Sequence, residues 1–139
     1  MDRTSWGFII AGLFNAGIIF VSKGFSNDLG VVDPLFGPGG CIGVLLWGLA
    51  YMSLAQRHEQ APLVSAVFCL EKAFYAIHWA LWISTHGDEL EALRAKDPLS
   101  AAFFGGYGVG DALFMLFFGY VAWRGRDRLF GPLEDAPAS

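Results

Sequence analysis

Residues 63–82 read LVSAVFCLEKAFYAIHWALW, an apolar and aromatic stretch with a glutamate and a lysine near its centre. Roughly 20 residues of this kind cross about 30 Å of hydrocarbon as a helix. At the centre of a membrane helix Glu71 and Lys72 together cost roughly 5–7 kcal/mol, and the apolar residues around them return roughly 3–5 kcal/mol. We therefore expect this stretch to enter a membrane only together with partner helices.

Three other stretches of the chain are almost free of charge. They cover residues 4–22, 34–56 and, apart from Asp111, 98–123. The whole chain is 55% hydrophobic and 16% charged, whereas about a quarter of the residues of a soluble domain are charged. The sequence therefore predicts an all-α membrane protein, a compact bundle of four transmembrane helices.

The predicted bundle is a single domain that covers residues 1–139. Its four spans are expected at about 5–22, 39–56, 61–84 and 99–123. The connecting segments 24–38 and 86–97 mix apolar with charged side chains and are predicted to be interfacial. Residues 24–38 are expected to lie in the membrane interface or to fold over the mouth of the bundle, and residues 86–97 are expected to form a short surface helix. The C-terminal residues 129–139 are predicted to form a mobile tail.

The distribution of arginine and lysine gives the expected orientation. Five lie in the N-terminus, the loop between the second and third spans, and the tail: Arg3, Arg57, Arg124, Arg126 and Arg128. Three lie in the other two loops: Lys23, Arg94 and Lys96. Because cytoplasmic loops carry the excess of positive charge, both termini are expected in the cytoplasm. The expected location is the plasma (inner) membrane of a bacterium, as a multi-pass protein.

The polar residues of 63–82 follow the helical repeat. At about 100° per residue, four side chains fall on one narrow stripe: Glu71, Tyr75, His78 and Trp82. Lys72 and Trp79 lie along the edge of that stripe, and the remaining circumference is apolar. The pattern predicts that the stripe points into the bundle while the apolar side faces lipid.

Polar residues of the neighbouring spans are expected to meet this stripe. Asn15 and Asp111 lie near the centres of the first and fourth spans, so Lys72 is expected to pair with Asp111 or with Glu71. Ionisable groups at this depth mark a functional site by default. The predicted ligand or proton site at the membrane midplane consists of Glu71, Lys72, Tyr75, His78, Asp111, Asn15, Trp79, Trp82 and Tyr107.

Three functions fit such a cluster. The first is binding of a small or lipid-soluble ligand with proton exchange at Glu71 or Asp111, in transport or lipid binding. The second is an enzyme on a lipid-soluble substrate, in which Glu71 and His78 act as an acid–base pair. The third is an accessory subunit or assembly factor of a larger membrane complex, in which the cluster only fixes the register of the helices.

The sequence predicts neither a metal site nor a cofactor, because it contains no HxxxH or HExxH motif. A haem bound through His78 is the alternative, although His58 and His86 are expected near opposite membrane surfaces and so could not supply a second ligand within one chain. The cysteines, Cys41 and Cys69, fall inside predicted spans and are expected to pack as small apolar residues.

The expected partners follow from charge and from glycine. No basic patch supports a nucleic-acid partner, and the lipid bilayer surrounds the bundle. Most of the 18 glycines lie in or beside the spans, including a GxxxG motif from Gly106 to Gly110. Small residues let helices approach closely in lipid. The glycine-rich faces are therefore expected to pack the bundle internally or to contact a second copy or a larger complex.

Overall fold

The computed structural model describes residues 1–130, and all regular secondary structure in this part of the chain is helical. The α-helices are α1 (Arg3–Val21), α2 (Asn27–Val32), α3 (Pro38–Leu54), α4 (Pro62–Thr85), α5 (Gly87–Lys96), α6 (Pro98–Arg124) and α7 (Asp127–Phe130). Short 3-10 turns occupy Pro34–Phe36 and His58–Gln60. Residues 129 and 130 of the predicted tail are the last two residues of α7. Residues 131–139 lie outside the described part of the chain.

Proline sets the starts of three of the long helices. Pro38, Pro62 and Pro98 each stand in the first turn of α3, α4 and α6. Proline suits this position because its φ is already helical and its missing N–H would have no partner there. At α1 the cap is Asp2, whose carboxylate accepts a hydrogen bond of 2.7 Å from the backbone N–H of Ser5.

Three helices are long and apolar enough to cross a membrane: α1, α4 and α6. Helix α3 is apolar as well and has 17 residues. Large apolar side chains point outward from all four, each between 58% and 70% exposed: Leu13, Leu46, Leu49, Leu70, Leu113 and Leu116. A continuous outer surface of this kind matches hydrocarbon rather than water. Residues 1–130 are therefore all-helical in their regular secondary structure and include three candidate membrane-spanning helices.

The long helices pack as two pairs, α1 with α3 and α4 with α6. In the first pair the backbones cross at glycines, since a methyl group added to Gly12 would lie 2.6 Å from the Gly48 carbonyl oxygen. In the second pair the Trp79 indole lies directly on Gly108, in the space that a β-carbon would occupy. Within the described chain the backbones of α3 and α4 do not pack closely, and side chains fill the space between the pairs.

The GxxxG motif of α6 contributes only one residue to this packing. Gly110 contacts the Phe14 ring of α1 within the same chain, whereas Gly106 faces open space. A homodimer or a larger complex formed through the glycine faces thus remains a prediction, with Gly106 as its accessible member.

Replacing Gly108 with alanine is expected to destabilise the protein by about 1–3 kcal/mol, because the new methyl group forces the Trp79 ring away from α6. The matched control is Gly105→Ala on the same helix, where no other atom lies within 4 Å. There alanine favours the helix by up to about 1 kcal/mol. Thermal unfolding in detergent micelles measures both, and equal midpoints for the two variants would contradict the packing.

The two ends of the bundle differ. At the terminal end, defined by Asp2, the turn at residues 55–61 and α7, the Asp2 carboxylate lies 3.5 Å from His58, and Arg128 bonds to the Glu59 carbonyl oxygen. The loop end is defined by residues 22–37 and α5. Here the chain forms α2 and a 3-10 turn within the segment that was predicted as an interfacial loop. Its 3-10 turn carries Phe36, which is 1% exposed and closes the mouth of the bundle.

Candidate functional site

Helix α4 is rotated so that its inward face is centred on Lys72 instead of Glu71, while its apolar side faces outward as predicted. Of the stripe that was expected to point into the bundle, Trp82 is buried and the other three residues are half-buried. The other most buried positions are Ser65, Phe68 and Lys72, spaced three and four residues apart. The rotation arises because α4 packs against α6, and Lys72 is the residue that faces α6.

Lys72 lies at the centre of the bundle with 1% of its surface exposed. Its Nζ donates hydrogen bonds to Asp111 Oδ1 at 2.5 Å and to Asn15 Oδ1 at 2.8 Å. The rings of Phe14 and Tyr51 lie 5.7 and 5.3 Å from the same ammonium group. The positive charge is therefore matched by one carboxylate, one amide and the faces of two aromatic rings.

Asn15 extends this contact to a further helix. Its side-chain N–H donates to the carbonyl oxygen of Val44 at 2.9 Å, while its oxygen accepts from Lys72. The buried trio of Asn15, Lys72 and Asp111 thus ties α1, α3, α4 and α6 together at one depth. Leaving one member of such a pair buried without its partner costs several kcal/mol, so the trio fixes how the two helix pairs meet.

Glu71 lies beside the trio but has a separate partner. Its carboxylate accepts a hydrogen bond from the hydroxyl of Tyr51, which projects from α3 and is fully buried. Tyr51 was not among the predicted residues of the polar cluster, although its depth in the second span had indicated that it could line a pocket for a flat or lipidic ligand. A tyrosine inside an apolar span was the available indication, since a buried hydroxyl needs a hydrogen-bond partner. No lysine, arginine or histidine of the described chain lies within 4 Å of the Glu71 carboxylate, because Lys72 pairs with Asp111.

His78 lies nearer the loop end and does not contact the trio of Asn15, Lys72 and Asp111. Its Nε2 lies 2.6 Å from Oδ2 of Asp33, which is 5% exposed. The other oxygen of Asp33 accepts from the backbone N–H of Leu35 at 3.0 Å and so caps the 3-10 turn. The sequence did not predict this pairing, although one of the two alternatives for the loop, that it folds over the mouth of the bundle, agrees with the burial of Asp33. The apolar residues of that loop, Phe36 above all, were the indication that it folds inward.

The two predicted tryptophans also lie toward the loop end. The Trp79 indole N–H donates to the Phe104 carbonyl oxygen at 2.8 Å, and Trp82 stacks between Phe104 and His86 with centroid distances of 5.1 and 5.0 Å. Both residues therefore join α4 to α6 through packing. Neither of them contacts the trio of Asn15, Lys72 and Asp111.

Tyr75 and Tyr107 lie between the two levels. Together with Glu71 and Asp111 they line a small cavity that Phe36 closes from the loop end. The Phe36 ring lies 4.8 Å from Tyr107 and 6.2 Å from Tyr75, centroid to centroid. The structure thus divides the predicted site into the midplane trio, the Tyr51–Glu71 pair, this cavity, and an outer His78–Asp33 pair.

This division bears on the chemistry that the site can perform. Glu71 and His78 have different partners and form no hydrogen-bonded pair with each other. Among residues 1–130, no group of three or more His, Cys, Asp or Glu side chains is placed to hold a metal ion. His78 uses its Nε2 toward Asp33, the nitrogen with which a histidine commonly binds iron or zinc.

An ion pair joins the two loops at the loop end. Lys23 Nζ lies 2.7 Å from Asp97 Oδ2 and 3.2 Å from Asp28 Oδ2. The hydrogen bond from Lys23, helped by those from Ser100, lowers the pKa of Asp97 to about 2. The hydrogen bond to Asp97 in turn raises the pKa of Lys23. Because Asp97 also caps α6, this pair holds the start of α6 against the first loop.

The Asp97 pair should break only in strong acid. Because the folded-state pKa of Asp97 lies below its ordinary value of 3.8, its stabilising contribution is present above pH 3.8 and is lost as the pH falls through about 2. An NMR titration of the Asp97 carboxyl carbon should therefore have its midpoint near 2. In Lys23→Met the midpoint should rise toward 3.8, whereas Lys96→Met, which removes a neighbouring charge, should leave it in place. An unchanged midpoint in Lys23→Met would contradict the ion pair.

Comparison of the chain with protein-family models, with curated proteins and with solved structures found no match.

Proposed function

We propose that the chain is a four-span protein of a bacterial inner membrane, with α3 as the fourth crossing and both termini in the cytoplasm. At 1.5 Å per residue the 17 residues of α3 extend about 26 Å, close to the thickness of the hydrocarbon core. The terminal end of the bundle brings Asp2, the turn at 55–61 and α7 together, as four crossings require. The excess of arginine and lysine at this end supports its cytoplasmic side.

Labelling with a membrane-impermeant maleimide tests this topology. Single cysteines at Glu59 and Glu91 would be introduced into a chain whose Cys41 and Cys69 are alanine. In spheroplasts Glu91→Cys should react from outside, and Glu59→Cys only after permeabilisation. Reaction of Glu59→Cys in intact spheroplasts would contradict the proposed topology.

We propose further that the protein binds a small lipid-soluble cation at Glu71 in exchange for a proton. A single observation carries this proposal. Among the described residues, two carboxyl groups, those of Glu71 and Asp111, lie near one ammonium group, and the ammonium group of Lys72 is paired with Asp111. The Glu71 carboxyl group is left without a cation. In a membrane it therefore holds either a proton or a positively charged ligand.

The surroundings of Glu71 suit such a ligand. The Glu71 side chain is partly exposed and the backbones of α3 and α4 do not pack closely, so we expect a molecule dissolved in the bilayer to reach it from the side. Three aromatic rings lie nearby: Tyr51 and Trp47 of α3 pack against Phe68 of α4 with centroid distances of 4.9 and 6.2 Å. Aromatic faces attract organic cations most strongly where water is excluded.

Isothermal titration calorimetry with tetraphenylphosphonium tests this function. Binding to the purified protein in detergent should release about one proton per ligand, which appears as a dependence of the heat on the buffer's ionisation enthalpy. The affinity should rise with pH as the proton leaves. Glu71→Gln should lose both binding and proton release, whereas Glu91→Gln, on the exposed surface of α5, should retain them.

Three results would refute this function. They are no binding to the wild-type protein, binding without proton release, and binding to Glu71→Gln with unchanged affinity.

A second candidate function, that of an accessory subunit, rests on the closed packing of the trio of Asn15, Lys72 and Asp111. That function predicts that Glu71→Gln leaves the activity of a co-purifying complex unchanged.

A further inference from the structure

A cavity lies in the centre of the bundle, on the loop-end side of the trio. Side chains of α1, α3, α4 and α6 line it, and Phe36 closes it from the loop end. The space open to the centre of a water molecule is about 10 Å³, close to the minimum that one water molecule needs. Larger ligands are therefore excluded from this position.

The walls of this cavity combine apolar side chains with hydrogen-bonding groups. Asn15, Lys72, Tyr75 and Asp111 are among the polar residues that contribute to them. A cavity holds ordered water where several hydrogen-bonding groups can reach the water molecule. The polar residues of these walls therefore supply partners for one water molecule.

Tyr107 provides an independent observation. Its side chain lines the same cavity, the residue is 3% exposed, and its hydroxyl group has no hydrogen-bond partner within the described chain. A buried hydroxyl without a partner is unfavourable, and most such groups in proteins bond to protein atoms or to ordered water. The hydroxyl therefore lacks one partner at the place where there is room for one water molecule.

We propose that this cavity holds a single bound water molecule, which accepts a hydrogen bond from the Tyr107 hydroxyl and donates to the carboxylate of Asp111. The site itself does not depend on the ligand proposed above.

Infrared spectroscopy of the wild-type protein tests the water directly. A bound water molecule should give a sharp O–H stretching band that moves to lower frequency after exchange into H₂¹⁸O. The band should disappear in Tyr107→Phe and persist in Tyr120→Phe, which removes the hydroxyl of a tyrosine on the same helix that is 53% exposed. No isotope-sensitive band in the wild-type protein would refute the water, whether or not any variant folds.

The unfolding midpoint of Tyr107→Phe is a second test, because a water-filled cavity and an empty cavity predict changes of the midpoint in different directions. If water is bound, removing the hydroxyl takes away its donor and lowers the unfolding midpoint. If the cavity is empty, the same change removes an unsatisfied buried group and raises the midpoint or leaves it unchanged. Binding of tetraphenylphosphonium is measured separately, so either proposal can fail without the other.

Discussion

Lys72→Met is expected to lose most of the folded protein, with a destabilisation of about 3–5 kcal/mol. The substitution keeps the length of the side chain but leaves Asp111, which is 3% exposed, without its counter-charge in the membrane interior. Whole proteins are stable by only about 5–15 kcal/mol. The yield of monodisperse protein after extraction and the unfolding midpoint in detergent measure the effect.

The double variant Lys72→Met/Asp111→Asn is the control for this prediction. It removes both charges of the pair at once, so position 111 carries no unpaired carboxylate, and replacing both members of a buried pair is often nearly neutral. We expect it to recover most of the yield that Lys72→Met loses. A double variant as unstable as the single one would show that the ion pair is not the reason for the loss.

Phe36→Ala is expected to cost about 3–5 kcal/mol, as truncation of a fully buried phenylalanine does. The ring packs edge-on against Phe103, Phe104 and Tyr107 at centroid distances of 4.9, 5.9 and 4.8 Å. Its loss leaves an empty space above the cavity and detaches the first loop from the bundle. Val31→Ala, in the same loop but 82% exposed, is the control and should change the unfolding midpoint little. Equal midpoints for the two variants would mean that the loop does not seal the bundle.

Much of the fold was predictable from charge alone. The stretches without charge place α1, α4 and α6 within a few residues of their ends, because a helix in hydrocarbon must satisfy all its backbone groups internally. The pairing of Lys72 was predictable as well, since Asp111 and Glu71 were the only acids near its depth. The choice between them was not, because it depends on which helix α4 packs against.

The remaining features depend on contacts between distant parts of the chain. The rotation of α4 follows from the fit of Trp79 on Gly108, a matter of shape that polarity along one helix does not reveal. The His78–Asp33 pair joins residues 45 positions apart, through a loop whose path is set by the burial of Phe36. Patterns within one helix therefore located the polar residues but assigned them to one site where the structure has several.

The distance in sequence between Lys72 and Asp111 has a consequence for how the protein is made. The two residues are 39 positions apart, on the third and fourth long helices. At about 5–20 residues per second, a ribosome adds Asp111 roughly 2–8 s after Lys72. During this interval α4 has neither its counter-charge nor its packing partner, although it is the span least able to enter lipid alone. We therefore expect the insertion machinery to retain α4 until α6 emerges and to release the two helices into the bilayer together.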